Sequence, residues 1–113
     1  MQEIRNFIGR HRFPITDEKE TQREIEKALA GAGMDFGREV RLSDQDTVDF
    51  MVGKVALEVK LKGSPMKIYR QLARYAEHES VEAILLVTAR SMTLPATING
   101  KPAAVVSLCR AWL

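Results

Sequence analysis

Two carboxylates and a lysine lie on neighbouring predicted strands in the middle of the chain. Residues 46–62 read DTVDFMVGKVALEVKLK, in which apolar side chains alternate with other residues on both sides of a Gly-Lys pair. This period of two predicts two strands joined by a tight turn. Asp49 lies on the first strand, and Glu58 and Lys60 lie on the second. Carboxylates grouped in this way are typical of a site for a hard divalent cation, which phosphate oxygens and water complete.

The predicted turn determines which residues of the two strands face each other. If Gly53 opens a two-residue type II′ turn, where a positive φ is needed, Val52 lies opposite Val55. Counting outward places Asp49 opposite Glu58 in a non-hydrogen-bonded pair, with Cα atoms about 4.5 Å apart. The expected apolar face consists of Val48, Phe50 and Val52 on the first strand and Val55, Leu57, Val59 and Leu61 on the second.

Opposed carboxylates destabilise a sheet unless a cation or solvent compensates their charge. Lys60, two residues further along the same face, is one candidate cation. A divalent metal such as Mg²⁺ is the other. A solvated strand face with alternating charges explains the spacing equally well, so the flanking elements must decide between these interpretations.

The composition is that of one globular domain, residues 1–113. Hydrophobic residues make up 45% and charged residues 28%, and the net charge of +2 is too small to indicate a nucleic-acid partner by itself. A chain of 113 residues is short for an enzyme that must also hold a large substrate, so association with a partner or with a second copy is expected.

The single cysteine and the absence of a long apolar run predict a cytoplasmic protein. Cys109 can form no internal disulfide and has no partners for a zinc site, so we interpret it as a small buried hydrophobe in a reducing compartment. The apolar run at 83–87 is far too short to span a membrane, and the charged N-terminus does not resemble a signal peptide.

The elements before the two strands include an acidic residue at a helix start. Residues 1–14 fit a basic arm or, the interpretation we favour, a short amphipathic helix that caps the core. A second helix is predicted from a cap at Thr16 or Asp17 to Gly31 or Gly33, with a buried stripe of Ile25, Ala28, Leu29 and Ala32. Glu18 lies on that stripe, seven residues before Ile25. Favourable placement at the positive end of the helix dipole is the alternative to a functional role.

Another helix is predicted directly after the second strand. Ser64 is its N-cap, Pro65 its first residue, and it runs to about Glu79. Beside the apolar side lies a polar stripe of Lys67, Gln71, Arg74 and His78. Such a stripe is usually solvated, but the helix follows the strand that carries Lys60, so Gln71 and Arg74 could reach phosphate groups near the charged face.

The remaining strands complete the element order. A further strand, the first in the chain, is predicted at 35–42, so the strands of Asp49 and Glu58 become the second and the third. Its expected core contacts are Phe36, Val40 and Leu42, and its expected surface charges are Arg38, Glu39 and Arg41. SDQD at 43–46 is a turn. Residues 81–88 are apolar enough for a central strand covered on both faces, 92–102 form a loop and turn, and 103–108 form a last strand. Trp112 is expected to pack on the core.

This arrangement resembles the PD-(D/E)xK nuclease superfamily. Its core is a helix, three strands, a helix and a strand, and its signature is an Asp on the second strand followed by Glu-x-Lys on the third. Asp49 and Glu58-Val59-Lys60 match that signature in type, order and strand. Residues 71–75 are similar to the QxxxY motif of RecB-type members, and Glu18 occupies the place of the acidic residue in the first helix. Val48 stands where the proline of the name would be.

The resemblance implies an α/β, restriction-endonuclease-like fold and a Mg²⁺-dependent deoxyribonuclease, with Mn²⁺ as a substitute. It implies that Asp49, Glu58, the Val59 carbonyl and Glu18 bind the metal, and that Asp49, Glu58, Lys60 and Gln71 form the catalytic set. The residues implied to contact nucleic acid are Lys67, Arg70, Arg74 and Tyr75. DNA is the implied partner, alongside a homodimer or a larger nuclease or repair assembly.

Two other functions remain open at this stage. A non-catalytic nucleic-acid-binding module of the same fold predicts binding without metal-dependent cleavage. A structural or protein-interaction domain, in which the charged face is merely solvated, predicts neither metal binding nor affinity for DNA.

Overall fold

Apolar side chains on both faces of one sheet organise the fold. The computed structural model describes residues 1–108, so Cys109, Trp112 and the predicted terminal turn lie outside the described residues. The elements are α1 (Gln2–Gly9), α2 (Glu18–Gly31), β1 (Phe36–Arg41), β2 (Thr47–Val52), β3 (Val55–Lys60), α3 (Pro65–Tyr75), β4 (Ala83–Thr88), β5 (Thr97–Ile98) and β6 (Lys101–Ser107). No helix within residues 1–108 is long and apolar enough to cross a membrane.

The six strands form a mixed sheet in the order β1-β2-β3-β4-β6-β5. Strands β1, β2 and β3 are antiparallel neighbours, whereas β3, β4 and β6 run parallel. The predicted α/β class, mixed sheet and element order are therefore confirmed. One strand, Thr97–Ile98, was not predicted. It pairs with the start of β6 across a turn in which Asn99 and Gly100 both have positive φ.

Helices cover both faces of the sheet and create two apolar layers. On one face, α1 and α2 contribute Phe7, Ile8, Ile25 and Leu29 to a core that includes Phe50 and Leu57. On the other face, α3 contributes Ile68, Leu72 and Tyr75 to a core that includes Ala56 and Leu86. Every residue of β4 is buried, as predicted for a central strand.

Three expectations about the helices and their neighbours need correction. α3 ends at Tyr75 instead of Glu79, because the Glu77 and His78 amides donate to carbonyls three residues back and tighten the chain into a turn. Ala32 is exposed, since α2 ends at Gly31 and Ala32 is its C-cap. Arg38 is not a surface charge, because its guanidinium lies 4.8 Å from the centroid of the Phe50 ring.

Candidate functional site

The β2–β3 hairpin has the predicted register near its turn. Val52 pairs with Val55 and Phe50 with Leu57. Gly53 has a φ of 60°, the positive value expected at the first central position of a type II′ turn. The ladder between β2 and β3 ends at the pair of Phe50 and Leu57, so the expectation that Asp49 pairs with Glu58 in the ladder is wrong.

Beyond the end of the ladder, side-chain carboxylates accept the hydrogen bonds of backbone amides. The Asp49 amide donates to Glu58 Oε1 at 3.1 Å, and the Val59 amide donates to Asp49 Oδ2 at 2.8 Å. Each carboxylate therefore satisfies a backbone donor of the opposite strand, which fixes its position. Because the N–H and C=O of a strand residue leave on the same side, the Val59 carbonyl faces the same opening as its amide.

A change of face in β1 and β2 accompanies this opening. Val48 packs in the core under α3, whereas Phe50 and Val52 pack in the core under α1 and α2, so the expectation that all three share one face is wrong. The switch occurs at Asp49 and at Glu39, the β1 residue that the register places opposite it. Glu39 has a φ of 50°, a conformation rare for a residue with a side chain.

The charged face of the hairpin is buried under α3. Glu58 is only 3% exposed, and Asp49 and Lys60 are half-buried. The interpretation of these side chains as a solvated strand face is therefore wrong. Lys60 Nζ lies 3.4 Å from Glu58 Oε2, so one ammonium group faces two carboxylates and leaves the site short of one positive charge when both are ionised.

Burial and mutual repulsion make ionisation of this pair unfavourable. Burial raises the pKa of Glu58 from 4.5 to about 7, and the charge of Asp49 adds to the rise. Burial also raises the pKa of Asp49, although the Val59 amide and the Lys60 ammonium oppose the change. An added cation would relieve the repulsion, which is the electrostatic condition that a metal site requires.

The stability of the metal-free protein is expected to fall as the pH rises from 5 to 8. The folded chain keeps the Glu58 proton up to a pKa of about 7, whereas the unfolded chain releases it near 4.5, so folding favours the protonated form. The loss is about 3 kcal/mol at most by the linkage of pKa to stability. Urea denaturation in EDTA at each pH measures it, and 10 mM Mg²⁺ should restore stability at pH 8. A free energy of unfolding that stays constant or increases over this range contradicts the expectation.

Glu18 lies at the end of β3, as its place on the α2 stripe suggested. Asp17 caps α2 by accepting from the Lys19 amide, and this fixes the first turn that carries Glu18. Glu18 Oε1 accepts from the Leu61 amide at 3.0 Å, one residue beyond Lys60. Its charge also contributes to the raised pKa of Asp49. Glu18 thus closes the same opening from the opposite face of the sheet.

Tyr75 supports the site from within the core. Its side chain is fully buried, and its hydroxyl donates to the Thr47 carbonyl at 2.9 Å. Burial raises the pKa of Tyr75, and the charge of Glu58 adds to the shift. The hydroxyl therefore stays protonated and fixes the start of β2, the part of this strand that is not paired with β3. Its complete burial leaves no ring surface for the nucleic-acid contact that the resemblance implies.

Replacing Tyr75 by phenylalanine is expected to destabilise the protein without creating a cavity. The Thr47 carbonyl would lose a donor, which costs about 1 to 3 kcal/mol. Thermal unfolding should show a melting temperature lower by roughly 5 °C. Tyr69→Phe on the half-buried side of the same helix is the control and should change it little. An unchanged melting temperature for Tyr75→Phe would remove the support assigned to this hydroxyl.

A basic pocket adjoins the carboxylates along α3. This α3 pocket has a volume of about 350 Å³ and is lined by Lys60, Lys62, Gly63, Ser64, Lys67, Ile68, Arg70, Gln71 and Arg74. It unites the predicted phosphate contacts Lys67, Arg70 and Arg74 with Gln71 and with Lys60 of the carboxylate site. Another cavity of about 500 Å³ lies between α1 and β6, and no carboxylate of residues 1–108 lines it.

Sequence reasoning missed one buried acid. Asp46, assigned to a turn, is 6% exposed and accepts from Arg74 Nε at 3.0 Å and from His78 Nε2 at 3.3 Å. Burial alone would raise its pKa, but the hydrogen bonds from His78 and Arg74 lower it below 3.8. The available signal was the i, i+4 spacing of Arg74 and His78, which gives two donors on one helix side.

Asp49 and Glu58 suit a divalent cation whose coordination further oxygen ligands complete. Within residues 1–108, no three His, Cys, Asp or Glu side chains are arranged as a complete metal site. Mg²⁺ commonly takes one or two carboxylates and completes its coordination with phosphate oxygens and water, so Asp49 and Glu58 are sufficient in number. Their burial and mutual repulsion, with the Val59 carbonyl on the same side, fit such an ion.

Comparison of this chain with protein-family models, with curated proteins and with solved structures gives no match.

Proposed function

We propose that this domain is a metal-dependent nuclease that hydrolyses DNA phosphodiester bonds, with a restriction-endonuclease-like fold of the PD-(D/E)xK type. The single observation that carries the proposal is the pair of half-buried Asp49 and buried Glu58, each held by a backbone amide of the opposite strand with Lys60 beside them. Like charges in a buried position are costly, and this arrangement becomes favourable when a divalent cation binds between them.

The residues have distinct roles in this proposal. Asp49, Glu58 and the Val59 carbonyl hold the cation, and Glu18 adds a metal or water contact from α2. When bound, Mg²⁺ or Mn²⁺ polarises the scissile phosphate and lowers the pKa of water. Lys60 Nζ, anchored near Glu58 Oε2, orients the attacking water and by its positive charge favours loss of the water proton, and it also stabilises charge that develops on the phosphate.

Elements of α3 complete the proposed site. Gln71 lines the α3 pocket together with Lys60, so it can orient the water or a phosphate oxygen by hydrogen bonding. Lys67, Arg70 and Arg74 contact the DNA backbone and give binding that is independent of sequence and sensitive to salt. Tyr75 acts through its bond to Thr47, which keeps β2 away from β3.

The basic pocket also favours one alternative function, that of a non-catalytic module that binds nucleic acid. Such a module would need the pocket but would have no use for two carboxylates that are held beside each other by backbone amides, one of them buried. The interaction domain with a solvated charged face has lost its premise, because Glu58 is buried. The lone cysteine and a DNA substrate suit a cytoplasmic protein that acts as a homodimer or within a larger nuclease or repair assembly.

The proposal is tested by incubating the purified protein with single-stranded, duplex and branched DNA in Mg²⁺, Mn²⁺ or EDTA. Cleavage in either metal and none in EDTA is expected. Cleavage that persists in EDTA overturns the proposal. DNA binding without cleavage under any metal favours the non-catalytic module, and the different substrates show which DNA structure is preferred.

A further inference from the structure

The α3 pocket concentrates more positive charge than its acidic partners neutralise. Three lysines and two arginines line it, and no acidic side chain among residues 1–108 does. Among the residues that the structure describes, Lys62, Lys67 and Arg70 form no ion pair. Cations gathered in one concave surface repel each other and attract anions. The pocket therefore attracts an anion more strongly than a solvated helix face would.

One cation of the pocket has a fixed orientation. Asp46 binds Arg74 through Nε, which leaves the terminal guanidinium nitrogens of a half-exposed side chain available to a ligand. Asp46 is itself held by His78 on its other oxygen and by a bond from its amide to Ser43 Oγ at 3.2 Å. The Lys101 ammonium donates to the His78 carbonyl and so fixes the backbone of His78. A buried acid that orients an arginine reduces the conformational entropy lost when an anion binds.

The pocket lies beside the carboxylate site and extends beyond it. Lys60 belongs to both, since it contacts Glu58 and lines the pocket. Lys67 and Arg74 are seven residues apart on α3, which is roughly 10 Å along the helix axis. Because Lys60 borders both, a phosphate at Asp49 and Glu58 and another in the pocket are close enough to belong to neighbouring positions of one strand.

We propose that the α3 pocket binds a second phosphate group of the substrate strand, next to the phosphate that is cleaved and without a metal ion, and that Asp46 is the positioning residue for Arg74. The assignment of that strand as a substrate rests on the proposed nuclease function. The substrate class is then a polynucleotide strand with at least two consecutive phosphates. A dinucleoside monophosphate, which has only one, would fill one of the two sites, and without a metal ion that site is the pocket, because the carboxylates repel phosphate.

Binding in EDTA separates this site from the metal site. Fluorescently labelled thymidine oligomers with one, two or four phosphodiesters are titrated with wild-type protein at several salt concentrations. In EDTA each oligomer should bind through a phosphate in the pocket, with a salt dependence that reflects the neutralised phosphates. Adding Ca²⁺ should then favour the oligomer with two phosphates over that with one by about tenfold, because the carboxylates accept the other phosphate only through a cation. Uridine oligomers of equal length distinguish DNA from RNA as the source of the strand, and binding of either supports a phosphate site.

Substitutions test which residues bind the second phosphate. Lys62→Gln and Arg70→Gln should each weaken binding of the longer oligomers about fivefold and lower the salt slope by about 0.7 for a single strand. They should also weaken binding of the oligomer with one phosphate, because in EDTA that phosphate lies in the pocket. Arg23→Gln, an exposed arginine on α2 across the sheet, is the matched control and should leave both unchanged. Equal affinities for the pocket variants, the control and the wild type overturn the proposal.

The role of Asp46 is tested by measurements that a loss of stability alone would not change. Asp46→Asn and Arg74→Gln should lower the salt slope by the same amount, and the double variant by no more than either alone, because both remove one oriented cation. In cleavage assays they should raise KM while kcat stays near the wild-type value. Additive effects in the double variant overturn the positioning role. Arg74→Gln alters a half-exposed side chain and remains informative if Asp46→Asn does not fold.

The two proposals can fail separately. Binding that depends on the pocket residues, combined with no cleavage in any metal, overturns the nuclease function and supports the phosphate site. Metal-dependent cleavage whose KM is unaffected by Lys62→Gln and Arg70→Gln supports the nuclease function and overturns the phosphate site.

Discussion

Glu58→Gln is expected to reduce metal-dependent cleavage by about 10³-fold while making the metal-free protein more stable at pH 8. Glutamine keeps an oxygen that can accept from the Asp49 amide, so the hydrogen bond at 3.1 Å can be retained. It removes the negative charge that a cation requires, and with it the repulsion from Asp49. The gain in stability should approach the pH-dependent loss of the wild type, about 3 kcal/mol at most.

Cleavage rates in Mg²⁺ and urea denaturation in EDTA measure the two effects. Glu77→Gln, an exposed glutamate just after α3, is the control for a change of net charge and should alter neither. In Glu58→Gln the fall in stability between pH 5 and 8 should largely disappear. A variant that loses activity and also loses stability at pH 8 would indicate a structural role for Glu58, and full activity would remove it from the catalytic set.

Lys60→Met is the second substitution with a large expected effect, a decrease of kcat by about 10² to 10⁴-fold. Methionine fills a similar volume but cannot donate to water or to a phosphate oxygen. The ammonium lies 3.4 Å from Glu58 Oε2, so its loss also leaves the carboxylates without their nearby cation. The metal-free protein should therefore become less stable at pH 8, which is opposite to the effect of Glu58→Gln.

Single-turnover cleavage at saturating DNA separates kcat from binding in the pocket that Lys60 also lines. Lys54→Met, in the turn at the other end of the same hairpin, is the matched control, because Lys54 is exposed and pairs with Glu82 at the surface. Wild-type single-turnover rates in Lys60→Met would exclude Lys60 from the chemical step. A slow rate in both variants would point to a general effect of lost charge on DNA binding.

Local signals predicted the elements that carry the site. Gly53 set the hairpin turn and hence the Val52 to Val55 register, because positive φ and loop length act within a few residues. Ser64 and Pro65 placed the start of α3, since capping depends on the first turn alone. The uniformly apolar β4 was recognised as a central strand because burial on both faces removes alternation.

Features that depend on distant residues were not predictable in this way. The hairpin ladder ends at Phe50 because the carboxylates take over its hydrogen bonds, which alternation of residue types does not report. Asp46 meets Arg74 only after the chain has folded through β2, β3 and α3. The burial of Glu58 depends on the docking of α3, which the period-two pattern of β3 could not reveal.

The carboxylates that stand in for ladder rungs connect the ionisation of the site to the backbone. Both the Asp49 and Val59 amides donate to a carboxylate instead of a carbonyl, so the strength of these bonds follows the charge on the acceptor. Protonation or a bound cation would weaken them, while the carbonyl-bonded amides nearer the turn would stay as they are. These two amide protons are therefore internal reporters, whose NMR chemical shifts and exchange with solvent register the state of the site before any substrate is present.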